Sequence, residues 1–228
     1  MTCDGRREPV ITIDGPAGAG KSTAARALAR RLGFRLLDTG AMYRALAWAV
    51  QEAGLPPEDS PALRDLLERT EVALDGDRVR VNGRDVTTEI RTPAVGELTS
   101  TLTMLRPVRD KLTPVQRSLA AGGGVVLEGR DTGSVVCPDA EVKFYLDATL
   151  EARARRRREE LAERGIAADL EGVRDEVARR DRQDMGRTIA PLVRPPDAVL
   201  VDTTGLGERE VLERLVDVVE RARCSTRS

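Results

Sequence analysis

The stretch from Val10 to Thr23 constrains the fold of this chain more than any other feature. Val10-Ile11-Thr12-Ile13-Asp14 has the β-branched composition of a short buried strand. It runs without a spacer into Gly15-Pro16-Ala17-Gly18-Ala19-Gly20-Lys21-Ser22-Thr23. A helical pattern follows from Lys21 to Leu32, with Ala24, Leu28 and Leu32 spaced by four. Gly15-x4-Gly20-Lys21-Ser22 has the Walker A spacing. Its glycines allow successive backbone N–H groups to turn toward phosphate oxygens, its lysine reaches the β- and γ-phosphates, and its serine hydroxyl can hold Mg²⁺. The positive end of the helix adds to the attraction, and a strand before and a helix after are the context such a loop requires.

Strands and helices continue to alternate downstream. Phe34–Leu37, Val125–Glu128, Val142–Leu146 and Ala198–Val201 read as four further short strands. Helical patterns cover about 40–53, 93–104, 107–121, 149–163, 169–184 and 208–222. This predicts an α/β fold with a five-stranded, mostly parallel sheet flanked by helices on both faces. Between 71 and 86 the pattern changes. Glu71–Leu74, the turn Asp75-Gly76-Asp77 and Arg78–Val81, extended by Asn82-Gly83 and Arg84–Val86, read as small antiparallel strands. An inserted α+β subdomain over about 55–104 is therefore expected. The polar ends, 1–8 and 224–228, are expected to be disordered.

Composition removes whole classes of chemistry. The 228 residues contain no histidine, which excludes Ser-His-Asp and Cys-His nucleophiles, an imidazole base and a His-ligated zinc site. Cys3, Cys137 and Cys224 suggest neither a disulfide framework nor a four-thiolate site, and Cys137 reads as a small buried hydrophobe. No apolar run approaches the roughly 20 residues of a membrane span, and the start has no signal-peptide pattern, so a cytoplasmic location is expected. The net charge of −1 offers no bulk attraction to nucleic acid or anionic lipid. Of 37 basic residues, only Lys21, Lys111 and Lys143 are lysines. The rest are arginines, the side chain suited to forked binding of phosphate and carboxylate.

Two segments are expected to leave the carboxyl ends of strands on the same rim as the phosphate loop: Leu37-Asp38-Thr39-Gly40-Ala41-Met42-Tyr43-Arg44 and Glu128-Gly129-Arg130-Asp131-Thr132-Gly133-Ser134. Each brings an aspartate and an arginine. The absence of an Asn-Lys-x-Asp element argues against a GTPase. A small kinase with a second substrate remains, acting on a nucleoside monophosphate or on an acceptor such as shikimate. A nucleotide sensor without turnover is the alternative of a different class.

The stretches ITIDGPAGAGKST, LLDTGAMYRALA, EIRT (89–92), GRDTGSVVCPDAEVKFYLDA (129–148), RRDRQDMGRTIAPL (179–192) and DAVLVDTT (197–204) occur in an order and spacing that resemble the bacterial cytidylate kinases along nearly the whole chain. The resemblance implies a P-loop nucleoside monophosphate kinase that transfers the γ-phosphoryl group of ATP to CMP or dCMP with Mg²⁺. It implies a monomer with small nucleotides as its partners and no nucleic acid or membrane partner. The core would comprise about 9–54, 105–149 and 166–223. The insert would be an enlarged monophosphate-binding domain, and about 150–165 a short helical lid.

Carried over by matched position, Gly15, Pro16, Ala17, Gly18, Ala19, Gly20, Lys21, Ser22 and Thr23 would hold the ATP phosphates, with Ser22 at the metal. Ser100, Arg109 and Asp131 would read the cytosine, whose exocyclic amine needs an acceptor and whose N3 and O2 need donors. Arg44, Arg130 and Arg187 would clamp the monophosphate, with Asp184 and Arg180 at the sugar and its phosphate and Asp38 and Thr39 also on the substrate side. Lys21, Arg130, Arg153, Arg157 and Arg187 would be catalytic. If 169–187 is helical, Arg180, Asp184 and Arg187 fall on one face. In the arginine run, Arg153, Arg156 and Arg157 share a face expected to close over ATP, while Arg155 and Arg158 would pair with Glu159 or Glu151. Thr39 replaces the usual serine of a DSGAMYR-type motif and keeps its hydroxyl. Glu128 stands where the family often has aspartate, and it fits either a carboxylate orienting metal-bound water or a buried structural acid. Phosphoryl transfer needs positioning and positive charge and no general base, so the lack of histidine is no handicap.

Overall fold

A computed structural model describes residues 7–163 and 165–225. Residues 1–6 and 226–228, part of the ends expected to be disordered, and Cys3 with them, lie outside this range. The elements in chain order are β1 (Val10–Asp14), α1 (Lys21–Leu32), β2 (Arg35–Asp38), α2 (Thr39–Glu52), α3 (Pro61–Arg69), β3 (Val72–Asp75), β4 (Arg78–Val81), β5 (Arg84–Asp85), α4 (Pro93–Leu102), α5 (Arg106–Ala120), β6 (Val125–Glu128), β7 (Val142–Asp147), α6 (Leu150–Glu163), α7 (Leu170–Met185), β8 (Val199–Asp202) and α8 (Glu208–Ser225). Residues 224 and 225 are thus helical rather than disordered. Arg223 in the same turn pairs with Glu8 (2.5 Å) and lies over the Phe34 ring.

The chain divides into two compact units, one made of residues up to Leu36 and from Gly123 onward, the other Leu37–Gly122. The first unit is built on a five-stranded sheet in the order β2-β6-β1-β7-β8. β1 pairs in parallel with β6 (Val10 beside Val125) and with β7 (Ile11 beside Val142), and β7 pairs in parallel with β8. β1 is central and every residue in it is buried, which explains why its sequence is apolar and β-branched without alternation. α1 and α8 cover the sheet through Leu28, Leu215 and Val219, which pack with Ile11, Ile13, Phe144 and Leu146. Phe144 is 1% exposed. Phe144→Ala is expected to lower unfolding free energy by about 3–5 kcal/mol, read as a lower urea midpoint at unchanged slope.

α6 and α7 pack together over a small core of Ala154, Leu161, Val173 and Val177. The segment expected as a lid is therefore one arm of a helical hairpin. Asp169 caps α7 by accepting from the Gly172 N–H (2.8 Å).

In the second unit, β3, β4 and β5 form an antiparallel sheet. Asn82 (φ 49°) and Gly83 (φ 81°) both adopt the left-handed region that an Asn-Gly hairpin turn requires. α2 packs on α4 and on this sheet, and α5 packs on α3 and α2. Those contacts make the compact unit wider than the expected 55–104 insert. α3 has no counterpart in the sequence reading, although its signals are present: Ser60 accepts from the Leu63 N–H (3.2 Å), Pro61 opens the helix, and Leu63 and Leu67 are its buried stripe. No helix among the described residues is long and apolar enough to cross a membrane.

Candidate active site

The phosphate loop leaves the carboxyl end of the central strand, as a ligand-binding loop of an open parallel sheet should. Its first glycine is required by a close approach: Gly15 has φ 147°, and a Cβ there would lie 2.0 Å from the Leu146 carbonyl oxygen. Gly20 caps α1 in the left-handed region with no side-chain hydrogen bond, which leaves the first N–H groups of the helix open to an anion. Lys21 is buried and donates from Nζ to the Pro16 carbonyl (2.7 Å). Burial, aided by the Arg130 charge, pushes its pKa down to about 7 against the opposing pull of Glu128, Asp184 and Asp14. Ser22 Oγ donates to Glu128 Oε2 (2.8 Å) across 106 residues of chain, and Glu128 is itself buried.

Oxygen donors of this kind suit Mg²⁺, which keeps several waters and takes one or two carboxylates together with phosphate oxygens. Among the described residues no group of three or more acidic, cysteine or histidine side chains is arranged so that it could hold a metal ion by itself. The Ser22–Glu128 pair thus fits an ion held largely by substrate and water.

The loop is buttressed by α6 and by the segment after β8. Arg153 is buried and donates to the carbonyls of Ala148 (3.0 Å) and Ala17 (3.2 Å), and it pairs with Asp181 at 2.6 Å. Arg156 donates to the Thr203 hydroxyl (2.9 Å) and carbonyl (2.6 Å), and its guanidinium lies 3.5 Å from the Gly18 carbonyl. The Thr203 hydroxyl in turn lies 3.2 Å from the Ala19 carbonyl. Arg157 pairs with Glu160 one turn along (3.1 Å). The three arginines expected to act as one face thus have three different sets of partners. Arg153 is tied to its own helix start, to the phosphate loop and to α7. Glu151 pairs with Arg174 (3.5 Å), and Arg155 and Arg158 are exposed.

A second cluster lies in the same unit. Arg130, just past β6, donates from Nε to Asp184 Oδ2 (2.8 Å) and from its terminal nitrogen to the Gly129 carbonyl (3.1 Å). Arg187 donates to the other oxygen of Asp184. Burial pushes the Asp184 carboxyl up, but Arg130, Arg187 and Arg180 overcome it and hold the group below its ordinary value. Burial and the Arg130 charge lower Arg180 to about 10, and Arg180 has no hydrogen-bond partner among the described residues. The helical-face expectation needs correction at one position. α7 stops at Met185, capped by the Gly186 N–H on the Arg182 carbonyl (2.9 Å), so Arg187 lies beyond the helix. It reaches Asp184 through the turn instead. That turn closes with Ala190 at φ 49° and the Leu192 N–H on the Asp184 carbonyl (2.8 Å).

Asp131 is buried at the start of a π-turn over Thr132–Val136, in which the N–H groups of Val135 (2.9 Å) and Val136 (3.1 Å) point at the Asp131 carbonyl. Such turns are rare and are frequent at functional sites; nothing in the local sequence marked it.

The remaining expected substrate residues belong to the second unit. Asp38 caps α2 by accepting from the Ala41 N–H (2.7 Å), and its other oxygen takes a hydrogen bond from Arg44 (3.3 Å). Thr39 is buried. Ser100 donates back to the Gly96 carbonyl (3.3 Å). Arg109 is buried, donates to the Thr103 carbonyl (2.7 Å), and lies 5.7 Å from the centre of the Tyr43 ring. Sequence reasoning assigned no role to Asp14, Asp181 or Thr203. All three act through partners far away in the chain, which no local spacing reveals.

A family model described as cytidylate kinase matches residues 11–221. The cytidylate kinase of Symbiobacterium thermophilum is 50% identical over 218 residues, covering 93% of this chain and 96% of that protein. That of Geobacter sulfurreducens is 49% identical and covers 99% of both chains. A solved structure of an uncharacterized protein from Eubacterium ventriosum, 9% identical, aligns with a TM-score of 0.54 over 94% of this chain and 99% of that one, a likeness of fold alone. An unbroken phosphate loop, an arginine-rich second cluster and half-identical relatives over nearly the full length agree: the chain belongs to the cytidylate kinase family.

Proposed function

We propose that the protein transfers the γ-phosphoryl group of ATP to CMP and dCMP, giving ADP with CDP or dCDP. Membership of the cytidylate kinase family supports the donor and the acceptor. The observation in the structure that carries the reading is the Arg130–Asp184–Arg187 cluster beside a complete phosphate loop. A protein that only sensed ATP would have no use for a second cationic centre. The same reading has the protein working as a cytoplasmic monomer on free nucleotides, and a net charge of −1 gives it no bulk pull toward polyanions.

Two anionic nucleotides bring about five to six negative charges together. Bound Mg²⁺, held by Ser22 with Glu128 behind it, would offset two of them. The protein supplies the remainder. The loop N–H groups and Lys21 take the donor phosphates. Arg130 and Arg187, already oriented by Asp184, take the acceptor phosphate together with Arg180, whose depressed pKa is relieved by an anion. Since the attacking phosphate oxygen is already anionic at neutral pH, no side chain needs to remove a proton. Arg153 and Arg156 fix the carbonyls of the loop so that its N–H groups face inward, and Arg157, paired with Glu160 one turn along, is the arginine of that face assigned to the donor phosphates. Sequence resemblance alone assigns Ser100, Arg109 and Asp131 to the cytosine, Arg44 to the acceptor phosphate, and Asp38 and Thr39 to the substrate side.

ADP release should be negligible without an acceptor, fast with CMP and dCMP, and slower with UMP, AMP or shikimate. Asp131→Ala should bring the CMP and UMP rates together by about tenfold or more, because a buried acceptor of the exocyclic amine is the type of contact that rejects an analogue lacking it. Acceptor-independent ADP release, or equal rates across the panel in the native protein, would overturn the reading.

A further inference from the structure

Asp14 ends the central strand and directly precedes Gly15, yet among the described residues its carboxylate accepts its hydrogen bonds from outside the phosphate loop. It is 1% exposed. Its Oδ1 accepts from the Thr132 N–H (2.9 Å) and the Thr132 hydroxyl (2.8 Å), and its Oδ2 accepts from the Gly133 N–H (2.7 Å). These partners lie 118 and 119 residues away. The turn packs closely on β1, since a Cβ on Gly133 would lie 2.7 Å from Thr12 Oγ1.

Immediately before Thr132 stand Arg130 and Asp131. The Asp131 peptide is therefore held on both sides: its carbonyl takes the π-turn N–H groups of Val135 and Val136, and the next N–H is fixed on Asp14. β1 thus fixes two things with adjacent residues, the start of the phosphate loop with Gly15 and the base of the acceptor turn with Asp14.

We infer that Asp14 is a positioning residue for acceptor recognition, setting the place of Asp131 and Arg130 relative to the strand that carries the phosphate loop. The inference rests on the proposed acceptor roles of those two residues. Chemistry explains why a carboxylate is needed. Three donors converge on two acceptor oxygens, and an asparagine offers one oxygen and turns its NH₂ toward a donor. A large rearrangement is not required for a loss of function, since displacing a positioned group by about 1 Å costs on the order of a hundredfold.

Asp14→Asn is expected to raise the KM for CMP by about tenfold or more and to shrink the CMP-over-UMP preference, while the KM for ATP stays within about twofold. Equal increases in both KM values, or none in that for CMP, would overturn the inference, because general loosening of the sheet would not distinguish acceptor from donor. Thr132→Val removes one of the three hydrogen bonds and nearly keeps the shape of the side chain. It should move the same parameters in the same direction by a smaller factor. Should Asp14→Asn fail to fold, Thr132→Val decides by the same criterion. Asp131→Ala measured alongside separates the two assignments. If it leaves the base preference intact, the reading of Asp131 fails by itself. If it abolishes the preference while the Asp14 and Thr132 variants leave both KM values unchanged, only the positioning role fails.

Discussion

Replacing Lys21 with methionine is expected to lower turnover on the order of 10²- to 10³-fold and to abolish a proton uptake that accompanies ATP binding. The second effect follows from the state of the amine before the nucleotide arrives. Burial and Arg130 hold Lys21 at about 7, where lysine is ordinarily 10.5. Between these values the unfolded chain carries a proton that the folded protein lacks, so the Lys21 contribution to stability rises with pH from about 7 to 10.5. Below about 7 its full penalty is present. Triphosphate restores the charged form, so binding near pH 8 should take up close to one proton per site and binding near pH 6 almost none. Titration calorimetry in two buffers of different ionisation heat reads this directly. Uptake at pH 8 equal in native protein and Lys21→Met would show that the proton goes elsewhere.

Asp184→Ala should be the most damaging change in the acceptor cluster. The carboxylate holds Arg130 and Arg187 at once and has Arg180 nearby, so its removal leaves buried arginine charge without compensation. Loss of one partner from such a group costs about 3–5 kcal/mol. kcat/KM for CMP should fall on the order of a hundredfold as the forks lose their orientation. A compensating signature is expected: CMP or inorganic phosphate should raise the melting temperature of Asp184→Ala more than that of the native protein, because the anion takes the place of the missing carboxylate. Equal ligand-induced shifts in both proteins would show that Asp184 does not organise an anion site. The carboxylate contribution has a direction in pH as well. With its pKa held below 3.8, Asp184 stabilises the fold above that value, and the contribution disappears as the pH falls through the folded pKa.

The phosphate loop, the five strands of the parallel sheet and the antiparallel turns at Asp75–Asp77 and Asn82-Gly83 were legible in the sequence because each is a local pattern. A β-branched run, a glycine spacing or an Asn-Gly pair specifies backbone conformation within a few residues. α3 is equally local, with Ser60, Pro61, Leu63 and Leu67 as its signals, although the insert shows a strand pattern only over 71–86. The helical pattern over about 169–184 matches α7 to within a residue at each end, and Arg187 would share its face only if the helix ran two residues farther than it does. Gly186 was the available signal for the stop.

The arginines divide most clearly between what sequence and tertiary structure each determine. By itself the sequence established a strand, a phosphate loop and a helix, an α/β architecture, a chemistry free of histidine, and a surplus of forked cations. It could not assign the forks. Arg153, Arg156 and Arg157 occupy neighbouring positions on α6, yet one is tied to Asp181 and the phosphate loop, one to Thr203, and one to Glu160. Arg130 finds Asp184 across 54 residues, and Asp14 finds Thr132 across 118. Helical spacing sets the direction in which a side chain leaves its element. The partner it meets is set by strand order and by the packing of helices on the sheet, and only the folded chain decides that.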